Sequence, residues 1–287
     1  MIDVIKKICI MVGEVCNFKC RHCFGKKIYT KLTETEKELI SSEIDKHNIR
    51  NILFVGGETI FYIKDINQML SKIKGLKNKN IKITTNGSFA SNVNLAQEII
   101  NSFIKLDGVQ LSYDIFHKEF LPFKNVENLY KACKKLKKDF SVILTVSNPL
   151  DLVLVKELRK IGKFRIGVQK VLPIGRAIKN KVYFNPLKFD GRVLNKKCPG
   201  RKEIVYICGK GFTTCCSNLI YNTSIKGIVH KSIEEHRKSK FYKLISSYNF
   251  EKLAEVFNVQ IPKDMPYLSL ECNLCQYIFE NLRRTNL

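Results

Sequence analysis

The chain has 287 residues, 45% hydrophobic and 26% charged, the balance of a soluble globular protein with length for one large or two ordinary domains. That balance excludes intrinsic disorder, collagen-like repetition and a disulfide miniprotein, and no run approaches the roughly 18 uninterrupted apolar residues of a membrane span. Lys plus Arg at 50 against Asp plus Glu at 26 leaves a net charge of +24, yet the basic residues are dispersed through segments such as 71–82, 131–138 and 196–202, between apolar positions. Dispersed charge reads first as solvated faces, second as attraction to an acidic partner such as a peptide, and least as nucleic-acid binding. The amino terminus, MIDVIKKICIMVGEVC, lacks the basic, apolar, small order of a signal peptide, so a cytoplasmic location with no membrane contact is expected.

In chain order, apolar runs and turn signals predict a strand at 5–12, a helix at 33–47, a strand at 51–55 and a helix at 63–76. The rhythm continues with a strand at 81–85, a helix at 92–106, a strand at 108–113, a helix at 124–138, a strand at 141–147, a helix at 151–162 and a strand at 164–172. Thr33 and Glu36 supply a capping box for the first helix. Six strands alternating with helices imply a parallel sheet, wound right-handed and covered by helices. The pattern stops at 173–181 and becomes irregular and cysteine-rich, which places a boundary near 173–197. The remainder, 198–287, holds one convincing helical stretch at 232–248 and looks too poor in core to stand without a staple.

Eleven cysteines, an odd number, argue against a disulfide framework and for metal ligation or redox chemistry. Cys16, Cys20 and Cys23 fall within eight residues, directly after the first predicted strand. His22 adjoins Cys23 and is not usefully spaced as a fourth zinc ligand, so iron–sulfur ligation by thiolates fits better. Three protein ligands on a four-iron cluster leave one iron open to a reactant.

CxxxCxxC after a first strand, followed by repeated strand–helix units, resembles the radical S-adenosylmethionine superfamily over residues 1 to about 180. The resemblance implies an α/β fold, a partial (β/α)6 TIM-like barrel with its site at the carboxyl ends of the strands, and a small C-terminal cysteine-rich iron–sulfur domain. It implies a [4Fe-4S] cluster on Cys16, Cys20 and Cys23 whose open iron chelates S-adenosylmethionine. Reductive cleavage then yields a 5′-deoxyadenosyl radical that abstracts hydrogen from substrate. Gly56-Gly57-Glu58 at the end of the second strand resembles the family's GGEP motif, with Thr59 where proline is usual. Two glycines let a backbone approach a ligand, and the carboxylate accepts from the cofactor's amino group. Thr85 and Asn86 resemble the family's TNG turn, which is also simply a favoured turn pair. Ser112 and Asp114 resemble its S-x-D pattern, although Asp114 equally suits a helix cap. Asp114 and the loop residue His117 are the candidate catalytic pair. Ser147 and Asn148 are further cofactor candidates, and His22 stands where the family usually has an aromatic ring near the adenine.

A second signal lies towards the carboxyl terminus. Cys198, Gly211 and Cys216 resemble the C-x(9–15)-G-x(4)-C signature of SPASM and twitch extensions, and Cys272 and Cys275 add a CxxC. These four are expected to hold one auxiliary [4Fe-4S] cluster, with Cys215 or Cys208 open as substitutes for Cys216 and a structural zinc site as the competing reading. Because Cys275 is the last cysteine, the extension resembles the shorter twitch form, at 198–287 beyond a linker at 181–197. Gly175-Arg176-Ala177 resembles the GRA stretch between barrel and extension, and buried Cys9 and Cys133 read as free thiols.

The family resemblance makes the expected protein a radical enzyme that modifies a ribosomally synthesised peptide by cross-link, epimerisation or oxidation. The alternatives are an amino-sugar-type dehydrogenase, a sulfatase-maturing-like enzyme and, remotely, a noncatalytic electron-transfer protein. A flavodoxin or ferredoxin-type donor would supply electrons. Only fifteen residues precede Cys16, so a separate leader-binding protein is expected if a leader is recognised outside the barrel.

Overall fold

The computed structural model describes residues 5–25, 30–221 and 225–281; positions 1–4 and 282–287 of the two expected domains lie outside these. The alternation read from the sequence is present as β1 (Lys7–Met11), α1 (Glu34–Lys46), β2 (Asn51–Val55), α2 (Ile63–Ser71), β3 (Asn80–Thr85), α3 (Val93–Asn101) and β4 (Gly108–Ser112). It continues through a short α4 (Ile115–Lys118), α5 (Phe123–Lys135), β5 (Asp139–Val146), α6 (Val153–Ile161), β6 (Arg165–Lys170) and α7 (Arg176–Lys179). The six strands pair in sequence order, all parallel, and form an open, not closed, barrel. The Thr33–Glu36 capping box opens α1.

Period-two alternation decides which residues meet the helices. Ile8, Ile10, Ile52, Phe54, Ile81 and Ile83 are completely or almost completely buried and join one core with Ile40, Ile44, Ile66 and Met69 of the covering helices. Their neighbours on the strands face the opposite side of the sheet and are only half-buried along β2 and β3. β6 forms one edge of the sheet and is its least buried strand.

The carboxyl-terminal segment corrects two expectations. First, it continues the sheet: β7 (Glu203–Ile207) pairs parallel with β1, and β8 (Gly211–Thr213) pairs antiparallel with β7, giving the order β6-β5-β4-β3-β2-β1-β7-β8. Second, it has a core of its own. Met11, Val205 and Ile207, on the strand face turned away from the barrel helices, pack with Phe241, Ile245, Phe250, Leu253, Leu274 and Ile278. These come from α9 (Lys240–Ser247), α10 (Phe250–Val256) and α11 (Glu271–Glu280). The single helix expected at 232–248 is two. α8 (Ile233–Lys238) ends at Ser239, whose extended backbone starts α9 and whose Oγ accepts from Tyr242 N at 3.1 Å. No helix among the described residues is long and apolar enough to cross a membrane.

Candidate functional site

The loop carrying the first three cysteines leaves the carboxyl end of β1 and is stitched to the end of β2. Gly57 N donates to Gly13 O at 2.8 Å and Glu58 N to Val15 O at 2.7 Å, while Val15 N donates to the Tyr62 hydroxyl at 2.9 Å. A Cβ on Gly56 would stand 2.5 Å from Gly13 O, and one on Gly57 only 2.0 Å from Val15 O. The two glycines therefore admit the cysteine loop itself. Within the loop, Cys20 is buried, and Cys16 and Cys23 are half-buried.

Glu58 is 0% exposed and ties the ends of β2 and β3 together. It accepts from Thr85 Oγ1 at 2.5 Å and from Asn86 N at 2.7 Å. Burial pushes its carboxyl upward against these donors. Asn86 in turn donates from Nδ2 to Asn17 Oδ1 at 2.8 Å and lies 3.8 Å from Cys16 Sγ, so the third strand's turn is held against the cysteine loop. Cys16 Sγ also accepts from Phe18 N at 3.4 Å. Asn17 was not singled out by the sequence; its position inside the motif was the available signal.

After half-buried Ser112, Asp114 is the helix cap that one reading of the sequence offered. Its Oδ1 caps α4, accepting from Phe116 N and His117 N at 3.0 Å each, and also meets His117 Nδ1 at 2.9 Å. Its Oδ2 faces His22 Nε2 at 3.7 Å. Burial opposes charge on Asp114, but the His117 imidazole and backbone N–H hold its carboxyl below the ordinary range. Burial likewise opposes charge on His117, and Asp114 together with a hydrogen bond to Cys20 overrides it, pushing the imidazole up to about 10. His22 stacks on Phe116 with centroids 4.5 Å apart, and burial pushes it down to about 4. One ligand atom from each of His22, Asp114 and His117 falls within a span of 4.8 Å.

Ser147 and Asn148 belong to a turn network after β5. Asn148 caps the turn after β5, its Oδ1 accepting from Leu150 N at 2.8 Å, while Ser147 N, Ser147 Oγ and Asn148 N all donate to Asp151 Oδ2. This network braces the loop at the end of β5.

On the opposite face of the sheet the second cysteine group gathers. Cys198, Cys215, Cys216 and Cys272 act electrostatically on one another, and Cys275 acts with Cys198, Cys215 and Cys272. Burial pushes the thiols of Cys198 and Cys272 upward, and that of Cys275 well upward, with the neighbouring sulfurs adding to it. Cys215 is buried and receives backbone N–H groups of Ser217, Leu219 and Ile220, whereas Cys216 is exposed. Packed thiols resist ionisation where no cationic centre offsets the burial. Cys9 and Cys133 are free thiols in β1 and α5, Cys133 buried as expected and Cys9 only half-buried. Cys208 lies apart from the group, beside Glu36 and Thr30.

A continuous parallel sheet with a three-cysteine loop at the end of its first strand, braced by Glu58 and Asn86, defines a class. Residues 10–150 match the family model described as the Radical SAM superfamily, so the chain carries a radical SAM domain. It is 26% identical over 192 residues to a Methanocaldococcus jannaschii protein described as Probable GTP 3',8-cyclase, across 64% of this chain and 60% of that protein's length. Among solved structures, native anSMEcpe with bound AdoMet and Cp18Cys peptide is similar at TM-score 0.54 and 15% identity, over 96% of this chain and 95% of that one. BtrN in complex with AdoMet and 2-DOIA is similar at TM-score 0.52 and 14% identity, over 99% and 95%. Such identities carry the fold alone.

Proposed function

We propose that this enzyme reductively cleaves S-adenosylmethionine and uses the 5′-deoxyadenosyl radical to abstract hydrogen from a ribosomally synthesised peptide. The observation that carries the peptide reading is the similarity, nearly end to end, to the anSMEcpe structure that holds a peptide. The +24 net charge favours an acidic one. In this reading Cys16, Cys20 and Cys23 hold a [4Fe-4S] cluster, which when bound supplies the electron for cleavage. Asn86, Phe18 N and His117 place donors on its sulfurs, the arrangement that tunes such centres. Glu58 offers a buried carboxylate to the cofactor's amino group, His22 lies near the adenine, and Asp114 with His117 faces the reacting groups. Cys198, Cys216, Cys272 and Cys275 hold an auxiliary [4Fe-4S] cluster. A flavodoxin or ferredoxin-type donor delivers the electron.

The test uses anaerobically reconstituted protein under dithionite. The wild type should cleave S-adenosylmethionine and Cys20→Ala should not; cleavage surviving in that variant overturns the assignment of the first cluster. Incubation with short acidic peptides encoded beside this chain should change a peptide's mass. The similarity to BtrN bound to 2-DOIA favours a second reading, an amino-sugar-type dehydrogenase. Turnover of an amino sugar without any peptide mass change would establish that one instead.

A further inference from the structure

Arg176 opens α7, and nothing in the site described so far uses its side chain. Its backbone is clamped to the cysteine loop. Gly175 has φ of +54°, and a Cβ there would lie 2.6 Å from Phe24 Cα. Arg176 N donates to Cys23 O at 3.0 Å, and Asn180 Nδ2 donates to Arg21 O at 2.9 Å. From that anchor the guanidinium reaches into the site, where its positive charge acts on the His22 ring. Its Nε and Nη2 are buried and have no hydrogen-bond partner. Two more such atoms belong to the site, Nδ1 of that same His22 and Oδ2 of Asp114, which His22 faces. Asp114 does not satisfy the arginine, since its other oxygen is committed to His117 and the α4 amides.

Arg176 is half-buried as a residue, but a guanidinium stays charged and loses free energy for every buried donor left without an acceptor. Nε and Nη2 lie along one edge of the planar group, the edge that meets the two oxygens of a carboxylate in parallel bonds. Water offers one oxygen at a time, and a backbone carbonyl offers one.

We propose that the Nε–Nη2 edge of Arg176 receives a carboxylate in the active site, brought either by S-adenosylmethionine or by an acidic substrate. The inference rests on the radical SAM assignment and not on the peptide reading. The backbone clamp places this receptor beside His22, so it selects ligands at the cysteine-loop side of the site.

The experiment compares anaerobically reconstituted wild type, Arg176→Gln and Arg176→Lys by equilibrium binding. Three probes are used: S-adenosylmethionine, decarboxylated S-adenosylmethionine, and N-acetylaspartate added to the cofactor-bound enzyme. Iron content and circular dichroism check loading and folding. Arg176→Gln should weaken a carboxylate-bearing probe at least tenfold, Arg176→Lys should fall between because it keeps the charge and loses the fork, and the decarboxylated cofactor should bind all three alike. Weakening of S-adenosylmethionine assigns the carboxylate to the cofactor. Weakening of N-acetylaspartate alone assigns it to the substrate. If neither carboxylate probe separates the variants from wild type, the proposal is overturned. Should Arg176→Gln fail to load iron, parity of Arg176→Lys with wild type on both probes overturns it equally.

Discussion

Gly57 shows how much of the site is backbone geometry. Its missing Cβ leaves room for Val15 O, at 2.0 Å from where that atom would be, and neither backbone can yield without moving the cysteine loop or β2. Gly57→Ala should therefore destabilise the apo-protein by about 1–3 kcal/mol, the range of overpacking, read as a shift in urea midpoint. It should also lower iron uptake relative to Gly191→Ala, where the added carbon would meet only Phe189, at 3.9 Å. The motif was legible from the sequence because cysteine spacing and Gly-Gly-Glu are local. Its reason was not, because Val15 meets Gly57 only after two strands have paired. Arg176 was visible as part of a resembling stretch, but its unpartnered edge depends on burial, which no single position in the chain announces. Asp114 resolved the other way, since a carboxylate with two oxygens can cap α4 and still face His22.

Elements tell a similar story about short and long range. The barrel strands and helices were legible because their periods switch cleanly between 2 and 3.6. β7 and β8 were missed although EIVYI followed by Cys208-Gly209-Lys210-Gly211 is a hairpin signal; the surrounding cysteines drew the reading towards metal ligation. The break at Ser239 was hidden by a continuous helical pattern, and only the Ser239 Oγ bond to Tyr242 N marks the second start. Asn148 offers a direct test of structural against cofactor duty. Asn148→Ala removes a cap and should cost about 1 kcal/mol of stability, while leaving S-adenosylmethionine affinity of the reconstituted enzyme unchanged; a large loss of affinity would restore the cofactor role. β8, the His230 bridge and α8 meet at His236, whose Nε2 lies 2.7 Å from Thr214 Oγ1 and whose Nδ1 lies 3.1 Å from His230 Nδ1. Burial first, then the charge of His230, pushes His236 down to about 3 from 6.5. The unfolded chain thus binds the extra proton between those values, so stability rises with pH there and is lost as pH falls below about 6.5. The urea midpoint of the wild type should drop more steeply from pH 7.5 to 5 than that of His236→Gln.

At the scale of the whole molecule, one sheet serves two cores. Its helix-facing side belongs to the barrel, and the other side of β1 and β7 belongs to α9, α10 and α11. The second core means that the auxiliary cysteines are not the sole support of the tail. Replacing Cys272 and Cys275 together by alanine should bring the iron of reconstituted protein from about eight to about four, the content of one four-iron cluster, with far-ultraviolet circular dichroism largely retained. Four irons in both proteins, with zinc in the wild type, would make the tail's site structural.

The pairing of β7 with β1 also sets an order in time. Lys7 and Glu203 bridge those strands across 196 residues of chain, and at ribosomal speeds of 5–20 residues per second their emergence is separated by on the order of ten to forty seconds. Throughout that interval the first cysteine motif has already left the ribosome, while the flank of β1 beside it stays unzipped and able to pair with a foreign strand. A nascent chain that stalls before residue 207 therefore displays all three cysteines beside an uncovered flank of β1, which makes translation past β7 the step that covers it.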